Sequence, residues 1–265
     1  MSTGVLVALI ASLTSLVVAA TSARAQRKTA RETREEQRRS DAKVVLDKYR
    51  GPLLAAASEI GRRVENIRHD QFLAYVGPGS ERERQARLTT LFRFAQYFGW
   101  REILRTEVQL LRFEREADTR RVAALIGDID WAFGSDKLGE GVRGMLWAEE
   151  QRGIGELMKS RNEDGSCTSR GYATFASEYD EKFAPWMNRL EAHVLSDEAL
   201  TSRRLLLLQW ALLGLVTQLD EERAHSNEKW MARAREELQE DPAPHAPRIE
   251  RTIRAHAQGQ ALTEP

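Results

Sequence analysis

An all-α fold, with one N-terminal transmembrane helix followed by a cytoplasmic multi-helix bundle, is predicted by three features of the 265-residue chain. Ala, Leu, Arg, Glu and Lys make up about half of it, the composition of long helices, while Val and Ile are scarce. Apolar side chains recur at three- and four-residue steps in segment after segment, the period of a helix with one buried face. No charged side chain precedes Arg24, and basic residues crowd immediately after it. The 40 basic and 40 acidic side chains balance, which excludes the globally basic footprint of most nucleic-acid-binding domains, so no nucleic-acid partner is expected.

Residues 1–23 form the first segment. Within them, residues 4–20 read GVLVALIASLTSLVVAA, which with the next three residues reaches the hydrocarbon thickness of a bilayer at a rise of about 1.5 Å per residue. Arg24, Arg27, Lys28, Arg31, Arg34, Arg38 and Arg39 follow, and the positive-inside bias places them in the cytoplasm with the N-terminus outside. The expected address is the cell membrane, as a single-pass protein. A cleaved secretory signal is the competing reading, because Ala23 and Ala25 before Gln26 resemble a cleavage site, but no positive n-region precedes the apolar run. A buried soluble helix is the third.

Ala8, Ser12, Ser15, Ala19 and Ser22 share one face of this segment, where small side chains let two helices approach in lipid, so a homodimer seam is expected. Residues 24–48 carry a basic juxtamembrane helix or spacer. Its first arginines fall at headgroup level and gain about 1 kcal/mol each from anionic lipid. Ala23, Ala30, Gln37 and Val44 repeat at seven, a coiled-coil trace whose d positions are polar.

The helical domain is expected over residues 49–223. Pro52 suits the first turn of a new helix, whose stripe is Leu53, Ala57, Ile60, Val64 and Ile67, extended by Phe72, Leu73 and Val76. Gly77, Pro78 and Gly79 end it. Ser80 and Glu83 form a capping-box pair for a helix through Leu88, Leu91, Phe92, Ala95 and Phe98, which Gly99 bends before a further stretch to Phe113. Asp118 caps a helix carrying Val122, Leu125, Ile126, Ile129 and Phe133, and four glycines from Gly134 to Gly144 mark a loop.

A short helix covers residues 145–159, and a polar loop with Cys167 covers 160–171. Tyr172, Phe175, Tyr179 and Phe183 then make an aromatic core face that breaks near Pro185 and resumes as Trp186, Leu190 and Val194. Ser196 starts the last domain helix, which is apolar on nearly every side over residues 205–219 and is expected to be central. Residues 224–265 are a polar C-terminal segment, with one amphipathic helix through Trp230, Met231, Ala234 and Leu238. Pro242, Pro244 and Pro247 follow, in a stretch expected to be disordered from 241.

Chemistry is sparse. The single cysteine forms no intrachain disulfide, and a lone exposed thiol without an adjacent base is inert. The five histidines lie on different segments with no ligand spacing, so no metal, no cofactor and no catalytic residue is assigned. Asp128 and Asp130 point about 200 degrees apart on a helix, one toward solvent and one toward an interhelical partner. Glu150, three residues after Trp147 and four before Ile154, stands on the apolar face of its helix. It is expected to be partly buried and paired to an arginine, Arg93 or Arg101. Glu149, Glu150, Arg152 and Gln209 are the candidate buried polar cluster.

The stretches YRGPLL at 49–54, TLFRFAQYFGWREILR at 90–105 and EEQRGIGE at 149–156 together resemble an uncharacterised group of bacterial, chiefly actinobacterial, proteins with a helical domain. The resemblance covers about residues 49–220 and implies one coherent domain, without an activity or site. The expected function is therefore a membrane-anchored cytoplasmic helical module that binds a protein partner or self-associates. The alternatives are an enzyme or small-ligand sensor with an interhelical site around Glu149, Glu150 and Arg152, and an exported soluble domain after cleavage.

Overall fold

In the computed structural model, residues 3–77, 80, 82–108, 117–225 and 227–240 are described, and all long elements among them are helices. They are α1 (Thr3–His69), α2 (Glu83–Val108), α3 (Ala117–Gly134), α4 (Ala148–Met158), α5 (Tyr172–Glu178), α6 (Ala184–Val194), α7 (Arg203–Leu219) and α8 (Glu228–Glu240). A two-stranded antiparallel hairpin, β1 (Lys159–Arg161) and β2 (Cys167–Ser169), pairs Ser160 with Thr168. The chain divides into two units, Met1–Asp47 and Lys48–Pro265.

The first unit carries the helix through the basic segment. Every side chain described in it is exposed, Ala30, Gln37 and Val44 of the heptad trace included, and Lys28 lies 3.9 Å from Glu32 one turn on. The side chains of residues 3–21, which include the small-residue seam apart from Ser22, lie outside the described residues. Among the described residues no helix is long and apolar enough to cross a membrane.

In the second unit α7 is the axis of the core. From Leu205 to Val216 every residue is buried, as a helix apolar all round must be if it is not in lipid. α3 and α8 pack on it, and α1 joins them with Leu53, Ala57, Ile60, Val64 and Ile67 fully buried. A Cβ on Gly61 of α1 would stand 3.9 Å from Leu212 of α7. A second layer forms where α2 crosses α4. There a Cβ on Gly155 would lie 2.7 Å from the Phe98 carbonyl, and one on Gly99 2.8 Å from Met158. Two glycines thus bring the helix backbones together. Phe98 meets Phe133 of α3 at 4.9 Å between ring centres, and Phe92 meets Phe175 of α5 at 5.6 Å.

Several boundaries differ from expectation. Pro52 lies inside α1 rather than opening a new helix, and Tyr49 ahead of it is buried like Leu53 after it. Gly99 does not bend α2, which runs unbroken to Val108; it is the contact point with α4. Ser80 receives the Arg82 N–H at 3.3 Å, so the Ser80–Glu83 capping box does not form. Asp118 lies within α3 rather than ahead of it. Ser196 introduces only a 3₁₀ turn, Asp197–Thr201, and Ser202 caps α7 by accepting from Leu205 N at 3.2 Å.

The polar stretch 160–171 is a hairpin, turned by Gly165 at φ +81° with Asp164 accepting from Ser166 N at 2.8 Å. Cys167 on β2 is consequently buried, not exposed. The aromatic helix loosens into a π turn, Tyr179–Phe183, next to Pro185, whose missing N–H removes a rung of the ladder. Met187 takes the core position there, and Trp186 lies 40% exposed over Gly153. The predicted continuation to Phe113 and the Pro-rich tail from 241 lie, beyond Val108 and Glu240 respectively, outside the described residues.

Candidate functional site

Charged and polar side chains in the buried domain fall into three groups. The first locks α8 onto α1 and α7. Glu65, 1% exposed, accepts from Arg233 of α8 at 2.6 Å and from the amide of Gln209 on α7. Arg68 donates to Gln209 Oε1 at 2.5 Å and to Glu237 of α8, and His69 Nε2 stands 3.3 Å from the same carboxylate. Burial beside Arg68 holds the His69 pKa below its ordinary value of 6.5. Gln209 is therefore a relay inside a structural network, and its amide is used at both ends.

The second group surrounds the N-terminus of α7. Arg204, completely buried, donates to the carbonyls of Ala132 and Phe133 at 2.5 and 3.0 Å, of Ser135 at 2.9 Å and of Arg143 at 3.0 Å. Three of those carbonyls close the C-terminus of α3, where a cation is favoured by the helix dipole. Glu140 accepts from Arg203 N at 2.5 Å and from the Ser202 hydroxyl at 3.2 Å, placing an anion on the opposite dipole.

His193 Nε2 lies 2.8 Å from Ser202 Oγ, and Gly144, at φ +60°, packs so closely that a Cβ would reach 2.5 Å from the ring. Ser202 gives its one proton to Glu140, which assigns the Nε2–H tautomer to His193. Its Nδ1 is buried without an acceptor or donor, and burial lowers its pKa below 6.5. Ser, His and Glu therefore meet, but in the wrong order for nucleophilic catalysis. The carboxylate is on the serine instead of on the far ring nitrogen, and Ser202 is 2% exposed with its oxygen engaged by a helix N–H.

The third group is the surface at the start of α4. Glu150 accepts from Trp147 N and from Arg189 Nη2 of α6, both at 2.7 Å. Its partner is Arg189, not Arg93 or Arg101, because the N3 position aims its carboxylate back along the helix start toward α6. Arg93 pairs instead with Glu59 at 3.1 Å and Arg101 with Asp130 at 2.6 Å. The Asp128–Asp130 pair leaves no carboxylate fully in solvent: Asp130 takes Arg101, and Asp128 is 4% exposed.

Arg189 also stands 5.8 Å over the Trp147 ring. Trp147 is 56% exposed, and Trp186, Glu149 and Arg152 are exposed on the same two helices. Of the four residues expected in one buried cluster, Glu149, Glu150 and Arg152 share this α4 surface, whereas Gln209 belongs to the α1–α7–α8 network. The arrangement is aromatic and arginine-rich, the chemistry enriched where proteins recognise each other.

Sequence reading passed over Arg204, Glu65 and His193. A usable signal existed for the first two: each sits next to fully apolar helical positions, where a charge must find a partner. His193 had none, since its partner Ser202 is in turn fixed by Glu140, which lies far away in the chain. Among the described residues no group of three His, Cys, Asp or Glu side chains is placed to hold a metal ion. No family model, curated protein or solved structure matches the chain.

Proposed function

We propose that this protein is a single-pass membrane-anchored helical module, with its N-terminus outside and its domain in the cytoplasm, that binds a protein partner or a second copy of itself. The observation that carries the reading is the charge-free run at 4–20 followed at once by seven basic residues, Arg24 to Arg39, on one uninterrupted helix, α1. The exposed Trp147, Trp186 and Arg189 supply a recognition surface, since large aromatic side chains left in water beside an arginine are the usual anchors of an interface. Self-association through Ala8, Ser12, Ser15, Ala19 and Ser22 belongs to the same proposal.

The test is fractionation with a C-terminal reporter active only outside the cytoplasm. The protein is expected to stay in the membrane after alkaline extraction and to give no reporter activity. Release by alkali, a mature N-terminus at Gln26, or strong reporter activity refutes the anchor and favours export.

A further inference from the structure

Among the described residues, four arginines of the domain are buried: Arg63, Arg68, Arg101 and Arg204. Arg68 and Arg101 donate to carboxylates and Arg204 to carbonyls. Arg63, 7% exposed, makes no hydrogen bond or ion pair to any described residue; its Nε is buried without an acceptor, and the Phe72 ring lies 4.0 Å from its Cζ. Stacking on an aromatic face offsets part of the cost of burying a guanidinium, but leaves the Nε–H unmet.

The carboxylate one turn away, Glu59, is already used. It receives Arg93 from α2 at 3.1 Å and lies 3.9 Å from Arg62. Glu59 and Arg63 are four apart and so share a face of α1, which puts the Arg93 guanidinium above that face. Three guanidiniums thus share one carboxylate. Burial and the neighbouring Arg93 charge push Arg63 down to about 10, and burial lowers Arg93 as well. Arg62 is half in solvent, but Arg63 is buried and Arg93 largely covered, and a surplus of covered cation calls for an anion.

We propose that Arg63 and Arg93, beside Phe72, bind a phosphate monoester group. Arg62, Arg63 and Arg93 against Glu59 leave two positive charges, matching the charge of about −1.5 to −2 that a phosphomonoester carries at neutral pH. Its oxygens accept from the terminal Nη groups of Arg63, since the enclosed Nε has no surface to offer, and from the donors of Arg93 that Glu59 does not take. A carboxylate would neutralise only one of the two charges. The group can arrive on a soluble phosphomonoester or on a lipid headgroup, and the site does not depend on how the chain is anchored.

The test uses the full chain. Its thermal midpoint in non-ionic detergent is followed on addition of inorganic phosphate at constant ionic strength. A second series uses phosphatidylcholine vesicles alone, with phosphatidic acid, or with phosphatidylglycerol. The midpoint is expected to rise with phosphate, with phosphatidic acid, or with both, and which of them acts identifies the source. Arg63→Met and Arg93→Gln should each weaken the response by about 10-fold or more, the worth of a charged hydrogen bond. Without phosphate, Arg63→Met should hold or raise the midpoint, because it removes a charge that lacks a partner.

The basic residues after Arg24 respond to any anionic lipid, so only the part of the response lost in the variants counts. If Arg63→Met fails to fold, Arg93→Gln decides alone. The proposal is overturned if the parent responds to neither probe, if the variants respond as the parent does, or if phosphate has no effect and phosphatidylglycerol acts as strongly as phosphatidic acid.

Discussion

At the scale of single residues, the domain stakes much of its stability on charges placed at helix ends. Arg204 closes α3 while Glu140 opens α7, so one buried crossing satisfies two sets of backbone groups that have no partner within their own helices. His193 completes the crossing only in its neutral form, because its Nε2–H is committed to Ser202 and its Nδ1 has no acceptor for a second proton. A histidine whose folded pKa lies below 6.5 binds fewer protons folded than unfolded. Stability therefore falls as pH drops from about 6.5 toward the folded value, and is recovered above it. Chemical denaturation of the full chain should show that slope, at most about 1.4 kcal/mol per pH unit for this one group. His193→Gln should flatten it while leaving the contribution of His69, which has the same sign. An unchanged slope in the variant would mean that His193 is not the group lost.

At the scale of elements, the helices were legible wherever one face repeats, and illegible where a contact between elements decides. The stripe Leu53 to Ile67, the all-round apolar α7 and the amphipathic α8 each follow from spacing alone. The hairpin did not, although Asp164-Gly165 is a turn signal, because strands of three residues are too short to alternate visibly. Gly99 reads as a bend until the α2–α4 crossing shows that it and Gly155 are each a missing side chain. The partial burial of Glu150 and its need for an arginine were readable. Its place in the first turn of α4, which starts at Ala148 and not at 145, and its partner on α6 were not, since pairing depends on which helices are neighbours.

The attachment of α8 gives the element-scale prediction. Its link to Glu65 passes through Arg233, which is half-exposed, whereas Glu65 is not. Arg233→Ala leaves a buried carboxylate facing only an amide, a loss of about 3 kcal/mol by analogy with broken buried pairs. Hydrogen exchange should then accelerate in residues 228–240 before it does in α7. Replacing Glu65 with Gln in the same chain should restore part of the protection, since the uncompensated charge is gone. Equal exchange in parent and Arg233→Ala would show that Trp230, Met231, Ala234 and Leu238 hold α8 without the ion pair.

For the whole molecule, the proposed orientation rests on an asymmetry of charge across one apolar segment. Residues 1–23 contain no charged side chain, while residues 24–43 carry eight basic and four acidic side chains. Acidic residues contribute little to topology, so the four do not cancel the bias. Reversing the asymmetry should reverse the chain: Arg24, Arg27, Lys28 and Arg31 changed to Gln, with Ser2 and Thr3 changed to Lys, moves the positive flank to the other end. The expected outcome is a domain that becomes accessible to a membrane-impermeant lysine reagent in intact cells, where the parent domain is shielded. Lys137, Lys159 and Lys182 provide the labelling positions, and Lys182 is 42% exposed at its side chain. Labelling of the parent in intact cells, or protection of the reversed chain, would show that the basic flank does not set the orientation, and residues 24–48 would then be a solvated spacer.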